Sequence, residues 1–289
     1  MSDWVLGVIG GSGLYDIPGL QDRCWERVTG PWGEPSDALL TGRLDGVRLV
    51  FLPRHGRGHR ISPSHINARA NIDALKRAGC TDLVSLSAVG SLREDLDPGT
   101  FVVVDQFIDR TVARPNSFFG EGVVAHVSMA DPVCPRLSQM AAEAGRAVGA
   151  RIVGGGTYLA MEGPQFSTRA ESRLYRSWGC SVIGMTNMPE ARLAREAELP
   201  YASVAMVTDY DCWREGEAEV EVAKIVAVLH ANADKARDLV RHLAGAMSGP
   251  RPPSPIDTCL DAALITAPEH RDPDLAAKLD AVAGRALRR

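Results

Sequence analysis

Short, wholly apolar runs alternate along the chain with stretches in which apolar residues recur every three or four positions, and this alternation predicts strands interleaved with helices. Val5 to Ile9 is a β-prone run that stops at Gly10-Gly-Ser-Gly13, so the chain opens as a buried strand closed by a glycine turn. Val47 to Leu52 predicts a second strand, ending in the basic loop Pro53-Arg-His-Gly-Arg-Gly-His59. Over 64–78, Ile66, Ala70, Ala74 and Leu75 fall near helical spacing, and Gly79 stands where a helix-ending glycine belongs. Asp82 to Ser87 and Phe101 to Asp105 predict further buried strands, the second apolar enough in its middle to be central. Helices are predicted at 136–148, 169–178 and 190–198, the last opened by Pro189, and strands at 154–161 and 182–185. The 115–135 stretch shows no period yet keeps aromatic residues and His126, which marks a long functional loop.

The apolar run from Ser203 ends abruptly in Thr208-Asp-Tyr-Asp-Cys-Trp213 and reads as a buried strand that delivers two carboxylates, Asp209 and Asp211. Past it, Val222, Ile225, Val226, Leu229, Ala233, Ala236, Val240 and Leu243 form one stripe, which predicts a long amphipathic helix over 218–245. Gly249-Pro-Arg-Pro-Pro-Ser-Pro255 breaks it, and a last Ala-rich helix is expected over 273–287. The pattern predicts an α/β fold: a single domain with a mixed, largely buried β-sheet flanked by helices on both faces, plus a C-terminal helical appendage. Along the chain this divides into a body at 1–248, a Pro-rich linker at 249–256 and a helical extension at 257–289.

Composition narrows the partners. The 289 residues are 45% hydrophobic with a formal net charge of -4, which offers no electrostatic ground for binding nucleic acid or an anionic membrane, so a small molecule is the expected ligand. The six cysteines, at 24, 80, 134, 180, 212 and 259, show neither CxxC nor metal-ligand spacing. Reduced thiols and a cytoplasmic setting are expected, with no signal segment at the start and no apolar run of the roughly 20 residues that span a bilayer.

The candidate chemistry sits at the ends of the predicted strands, where open sheets hold their ligands. The glycine turn fails the dinucleotide fingerprint because position 16 is Asp16; what remains is a nest of amides with the Ser12 hydroxyl, either an anion grip or a plain turn. Arg54 offers a bidentate fork to phosphate and His55 adds a donor, although a solvated basic loop has the same composition. His55, His59 and His65 lack carboxylate or thiolate partners for a metal. Ser87 and Thr186 bring hydroxyls to strand ends, and no GxSxG marks a serine nucleophile. Cys212 is a weak nucleophile candidate because neighbouring acids raise a thiol's pKa. Asp209 and Asp211 either cap a helix or share a proton at one site, since two close carboxylates repel when both ionise.

Gly10-Gly-Ser-Gly13, Pro53-Arg-His-Gly56, Ser87-Ala-Val-Gly-Ser-Leu-Arg93, Asp105-Gln-Phe-Ile-Asp-Arg-Thr111, Glu162-Gly-Pro-Gln-Phe-Ser167 and Thr208-Asp-Tyr-Asp-Cys-Trp213 occur in order. Together they resemble the trimeric purine nucleoside phosphorylase family, and within it the branch that cleaves 5′-methylthioadenosine, over about residues 5–245. The resemblance implies reversible phosphorolysis with inorganic phosphate as co-substrate, no metal or organic cofactor, and a homotrimer or a dimer of trimers. It implies a phosphate site of Ser12, Arg54, His55, Ser87, Ala88 and Thr186, with Met185 against the ribose, Phe166 and Ser167 flanking the base, and Asp209 and Asp211 reading it. Asp209 is assigned the N7 contact and the other carboxylate the 6-amino group. The acid pair favours a 6-amino purine; 5′-methylthioinosine or 6-oxopurine nucleosides are the alternative substrates, and a purine-sensing binding module is the alternative without catalysis. Val222 and Ile225 would form an apolar cup for a methylthio group, with His126 and the segment around Leu264 reaching across a subunit boundary.

Overall fold

The longest strand organises the sheet because both of its edges are paired. The computed structural model describes residues 4–11, 13–214 and 222–289; of the side chains between 222 and 231 it describes Val228 alone. Among the described residues eleven strands form one sheet: β1 (Val5–Gly10), β2 (Gln21–Glu26), β3 (Leu39–Leu44), β4 (Val47–Pro53), β5 (Asp82–Ser91), β6 (Thr100–Val104), β7 (Gln106–Arg110), β8 (Arg151–Gly154), β9 (Thr157–Met161), β10 (Val182–Gly184) and β11 (Tyr201–Asp209). The helices are α1 (Ala68–Arg77), α2 (Pro135–Ala147), α3 (Arg169–Ser177), α4 (Asn187–Glu196), α5 (Val222–Ala246), α6 (Pro273–Lys278) and α7 (Asp280–Leu287).

The main path runs β2-β3-β4-β1-β5-β10-β9-β7, and β11, β6 and β8 branch from the other edge of β5. β1 runs parallel to β4 and β5, β11 runs parallel to β5, and β10 meets β5 antiparallel, so the sheet is mixed. On one edge of β5, residues 82–85 pair with β1 and residues 90–91 pair with β10. Residues 86–89 between them have no strand on that side, and the resulting gap lies at the carboxyl end of β1.

Alternation along β1 and β4 sends side chains to two cores. Leu6, Val8, Leu49 and Phe51 join a cluster with Leu137 and Ala141 of α2 and Leu239, Val240 and Leu243 of α5. Ile9, Val50 and Leu52 join the opposite one with Ile72 and Leu75 of α1 and Leu193 of α4. Leu260, Ala263, Leu279, Val282 and Ala286 belong to this second core, so the chain after the Pro-rich segment is packed into the domain. Arg251 ties it down by bonding Asp82 and Asp257, and Arg285 bonds Glu198.

Several predicted bounds move for local reasons. The helix expected from 64 begins at Ala68, with the Asn67 side chain capping the Ala70 amide at 3.1 Å. The single strand expected over 154–161 is split into β8 and β9, because Gly155 and Gly156 take φ of 82° and 142°. α4 starts at Asn187, before Pro189, with Met188 non-helical. The last helix breaks at Leu279 into α6 and α7, and 218–221 of the long helix lie outside the described residues. β2 is exposed at five of its six residues and β7 is exposed at both ends and only partly buried between, so neither has an apolar period to betray it. No described helix is long and apolar enough to cross a membrane.

Because Leu279 is fully buried in the core shared with α1 and α4, Leu279→Ala is expected to destabilise the whole domain by about 2–5 kcal/mol in urea unfolding. An unchanged unfolding midpoint would show that the C-terminal helices fold independently of the body.

Candidate active site

The gap beside residues 86–89 lies between the end of β1, with β4 paired to it, and β10, while the end of β11 meets Gly90 from the other edge of β5. The glycine turn after β1 is tight: a β-carbon at Gly10 would lie 2.4 Å from Leu14, and Gly13 has φ of 95°. Ser12 lies outside the described residues. The Arg54 amide donates to Gly10 O at 2.9 Å, which closes the β4 end against the β1 end.

The Arg54 side chain is 2% exposed, and its hydrogen bonds depart from the expected phosphate fork. Nε and Nη2 bond the two oxygens of Glu190 at 3.0 and 3.2 Å, Nη2 also reaches Ser85 Oγ and Ile9 O, and Nη1 reaches Leu86 O. The bidentate edge is therefore occupied by a buried carboxylate, and one Nη1 hydrogen remains. His55 Nδ1 meets Ile61 O at 2.9 Å; a carbonyl only accepts, so Nδ1 carries the proton. Burial, with the nearby Arg54 and His59, lowers the His55 pKa to about 4 despite the opposing Ile61 bond. A neutral ring with Nδ1 protonated presents Nε2 as an acceptor, where the sequence reading expected a second donor.

Ser87 is buried in the gap and donates to Asn187 Oδ1 at 3.0 Å, while Ala88 and Thr186 are half-buried beside it. Asn187 Nδ2 donates to Tyr201 Oη at 2.8 Å, and that hydroxyl donates to Glu190 Oε1 at 2.8 Å. One buried chain of hydrogen bonds thus links Ser87 to the Arg54–Glu190 pair. Tyr158, fully buried under Gly184, accepts from the Thr186 amide at 3.5 Å. Asn187, Glu190, Tyr158 and Tyr201 were missed by sequence reasoning, since each sits inside an ordinary helix or strand pattern with no motif of its own.

The acid pair emerges through two local devices. The pairing of β11 with β5 shifts register between Val207 and Asp209, a bulge that re-aims the strand end. Asp209 Oδ1 then accepts from the Asp211 amide at 2.8 Å, an Asx-type turn, with Asp211 at φ of 54°. Asp209 Oδ2 accepts from Thr208 Oγ1 at 2.7 Å, sharing that single hydrogen with Val89 O at 3.2 Å. Both residues lie against Gly90, where a β-carbon would be 3.1 Å from Asp209 Oδ1 and 3.3 Å from Asp211 Cβ. Burial first, and then the neighbouring Asp209 charge, raise the Asp211 pKa to about 6. The Ser172 and Ser167 hydroxyls offset part of this, but Asp211 Oδ2 has no partner at hydrogen-bonding distance among the described residues.

A second wall comes from the loop after β9. Met185 packs beneath Gly163, where a β-carbon would lie 2.5 Å from its sulfur. Ser167 is buried, its carbonyl accepting from Cys212 Sγ at 3.2 Å, and Phe166 is 48% exposed. The Cys212 thiol, raised by burial and Asp211, is held as a thiol. An antiparallel bridge pairs Ala125 with Leu264, and the neighbouring His126 amide donates to Ala263 O at 2.8 Å. Val222 and Ile225 lie on the first two turns of α5, with side chains outside the described ones. Among the described residues no three His, Cys, Asp or Glu side chains converge to hold an ion.

Fold and site define a mixed-sheet α/β protein whose polar machinery is gathered at the ends of its strands. The chain belongs to the phosphorylase superfamily, whose family model matches residues 5–244. It is 64% identical over 286 residues to the S-methyl-5′-thioadenosine phosphorylase of Cereibacter sphaeroides, covering 98% of this chain and 99% of that one. It is 62% identical to the enzyme of the same name from Bradyrhizobium diazoefficiens over the full length of both. Among solved structures, a methylthioadenosine phosphorylase from an antarctic soil metagenomic library superposes with a TM-score of 0.92 at 44% identity, covering 98% of this chain and 99% of that chain. The Schistosoma mansoni methylthioadenosine phosphorylase in complex with adenine gives 0.81 at 39% identity, covering 86% and 93%.

The lowered pKa of His55 has a signed consequence. Its neutral form is favoured in the folded state, so its contribution to stability is full above about pH 6.5 and declines as the pH falls toward about 4. Ring-proton NMR should show His55 titrating near pH 4, and a midpoint near 6.5 would contradict its neutral, Nδ1-protonated role.

Proposed function

We propose that this protein catalyses the reversible phosphorolysis of 5′-methylthioadenosine to adenine and 5-methylthioribose 1-phosphate, as a pentosyltransferase. The observation that carries the proposal is the acid pair at Gly90, one carboxyl accepting on both oxygens and the other pushed toward neutrality, on the same strand as buried Ser87 and half-buried Ala88. A partner that donates and accepts at once suits a purine with a basic N7 and a 6-amino group. The names of the relatives at 64% and 62% identity, and the adenine complex at 39%, support the same substrate.

In the reaction the N9–C1′ bond breaks as a phosphate oxygen bonds C1′, and the proton lost by hydrogen phosphate is balanced by the one gained on adenine. Burial pushes Asp211 toward its protonated form, so the proposal gives Asp211 the N7 hydrogen bond and Asp209 the 6-amino group, the reverse of the assignment made from the sequence. Positive charge developing on the sugar faces the phosphate, and negative charge developing on the purine faces the acid. His55 accepts a hydrogen bond from the phosphate hydroxyl, while Ser12, Thr186, the Ala88 backbone and the one remaining Arg54 N–H donate to its other oxygens, and Ser87 joins them by turning its hydroxyl away from Asn187 Oδ1. Met185 lines the ribose, Phe166 and Ser167 the base, and Val222, Ile225, His126 and Leu264 the methylthio cup. The proposal further includes a homotrimer or dimer of trimers, a cytoplasmic location, and no cofactor beyond the phosphate co-substrate. Along the sequence it keeps the divisions 1–248, 249–256 and 257–289.

Incubation with 5′-methylthioadenosine should release adenine only when phosphate or arsenate is present. Equal release in water alone would indicate a hydrolase, faster turnover of 5′-methylthioinosine a 6-oxopurine enzyme, and tight adenine binding without turnover a sensing module. In pH profiles of kcat/KM, activity should fall as pH rises through about 6 and Asp211 loses its proton. Asp211→Asn should lose that limb, whereas Asp209→Asn should keep it and lose more than about tenfold in rate. The reverse pattern would return the acid role to Asp209.

A further inference from the structure

Arg114 lies in the segment after β7, outside every motif that marks the site, yet its side chain is only 5% exposed and entirely engaged. Nε donates to Glu162 Oε1 at 3.1 Å and Nη2 to Glu162 O at 2.6 Å. Nη1 donates to Met185 O at 2.6 Å and to Met188 O at 2.9 Å. The first pair of contacts belongs to the loop between β9 and α3, which carries Phe166 and Ser167. The second belongs to the turn between β10 and α4, which carries Thr186 and Asn187.

These contacts fix the turn from outside. Met185 O and Met188 O both point at one guanidinium nitrogen, while between them the Thr186 amide faces Tyr158 and Asn187 receives Ser87. The two walls are also pressed together, since Gly163 leaves no room for a β-carbon above the Met185 sulfur. Glu162 answers from the other side, its Oε2 accepting from the Val112 and Ala113 amides at 2.6 and 3.2 Å. Its carboxylate, though partly desolvated, is thereby held well below its usual range, at about 2, and stays charged opposite Arg114 through neutral pH. A planar fork is what this geometry demands, because a lysine ammonium on a single stem cannot serve acceptors on both walls in their present places.

We propose that Arg114, clamped by Glu162, is a positioning residue that sets the spacing between the base wall at Glu162–Ser167 and the sugar and phosphate wall at Met185–Asn187. It touches no reacting atom. The inference rests on the phosphorolysis reading above, and it predicts that loosening the clamp damages catalysis more than folding.

The test compares wild type, Arg114→Lys and Glu162→Gln for melting temperature, kcat, and KM for phosphate and for 5′-methylthioadenosine, and measures adenine affinity by calorimetry. Arg114→Lys should remain folded, raise KM for phosphate, and lower kcat/KM by about ten- to a hundredfold, the scale of an ångström-sized misplacement. Glu162→Gln, which keeps the shape of the side chain and removes its charge, should fall between the two and serves if the lysine variant does not fold. A folded variant with kcat/KM and adenine affinity within about twofold of wild type would overturn the inference while leaving phosphorolysis intact. A wild type without phosphate-dependent turnover would overturn the reading instead, and the positioning role would then be decided by whether the variants lose at least about tenfold in adenine affinity.

Discussion

One buried ion pair holds the strand ends in place. Arg54 and Glu190, 2% and 3% exposed, are tied to Ile9 O of β1, Ser85 and Leu86 O of β5, and Tyr201 of β11. Taking both charges out of water costs several kcal/mol for each ion, and the arrangement is tolerable because both carboxylate oxygens and all but one of the guanidinium hydrogens meet fixed partners among the described residues. Such a pair contributes little net stability, but losing either partner strands the other without water. Its consequence is geometric: the carboxyl end of β1 and the middle of β5 cannot drift, so the stretch 86–89, open on one edge only, keeps its shape.

The same constraint explains the division of labour around the gap. With its fork bound to Glu190, Arg54 has one N–H left to offer, and in the proposed reaction anion recognition falls chiefly to hydroxyls, amides and a neutral His55. A neutral acceptor suits a phosphate that arrives with a hydrogen. Asp211 is raised to about 6 by burial, while Asp209 is supplied with two donors by Thr208 and the turn it forms. The two carboxyls, two residues apart, therefore sit in different surroundings, one with a donor at each oxygen and the other with an oxygen left without a partner among the described residues.

Much of this was legible along the chain. Strands buried on both faces announce themselves as apolar runs, which is why β1, β4, β5, β6 and β11 were found and their terminal motifs with them. β2, β3 and β7 were not: the edge strands β2 and β7 are exposed or only partly buried, and the apolar positions of buried β3 are interrupted by Thr41-Gly-Arg43. Phe101 to Asp105 was read as a central strand and is one, paired with both β11 and β8. The short motifs exposed Arg54, His55, Ser87 and the acids, but not the partners of Arg54, since Glu190 sits 136 residues away in an unremarkable helical stretch.

The sequence by itself determined the fold class and the residue types gathered at the strand ends, because burial periodicity and turn chemistry are local properties. Only the tertiary structure decided what each of those residues can do. Whether a guanidinium faces a ligand or a buried carboxylate, which nitrogen of His55 carries its proton, and which of two aspartates holds one all depend on groups distant in sequence. Arg114 is the clearest case: its role arises from carbonyls at 162, 185 and 188 that meet only when the sheet is complete.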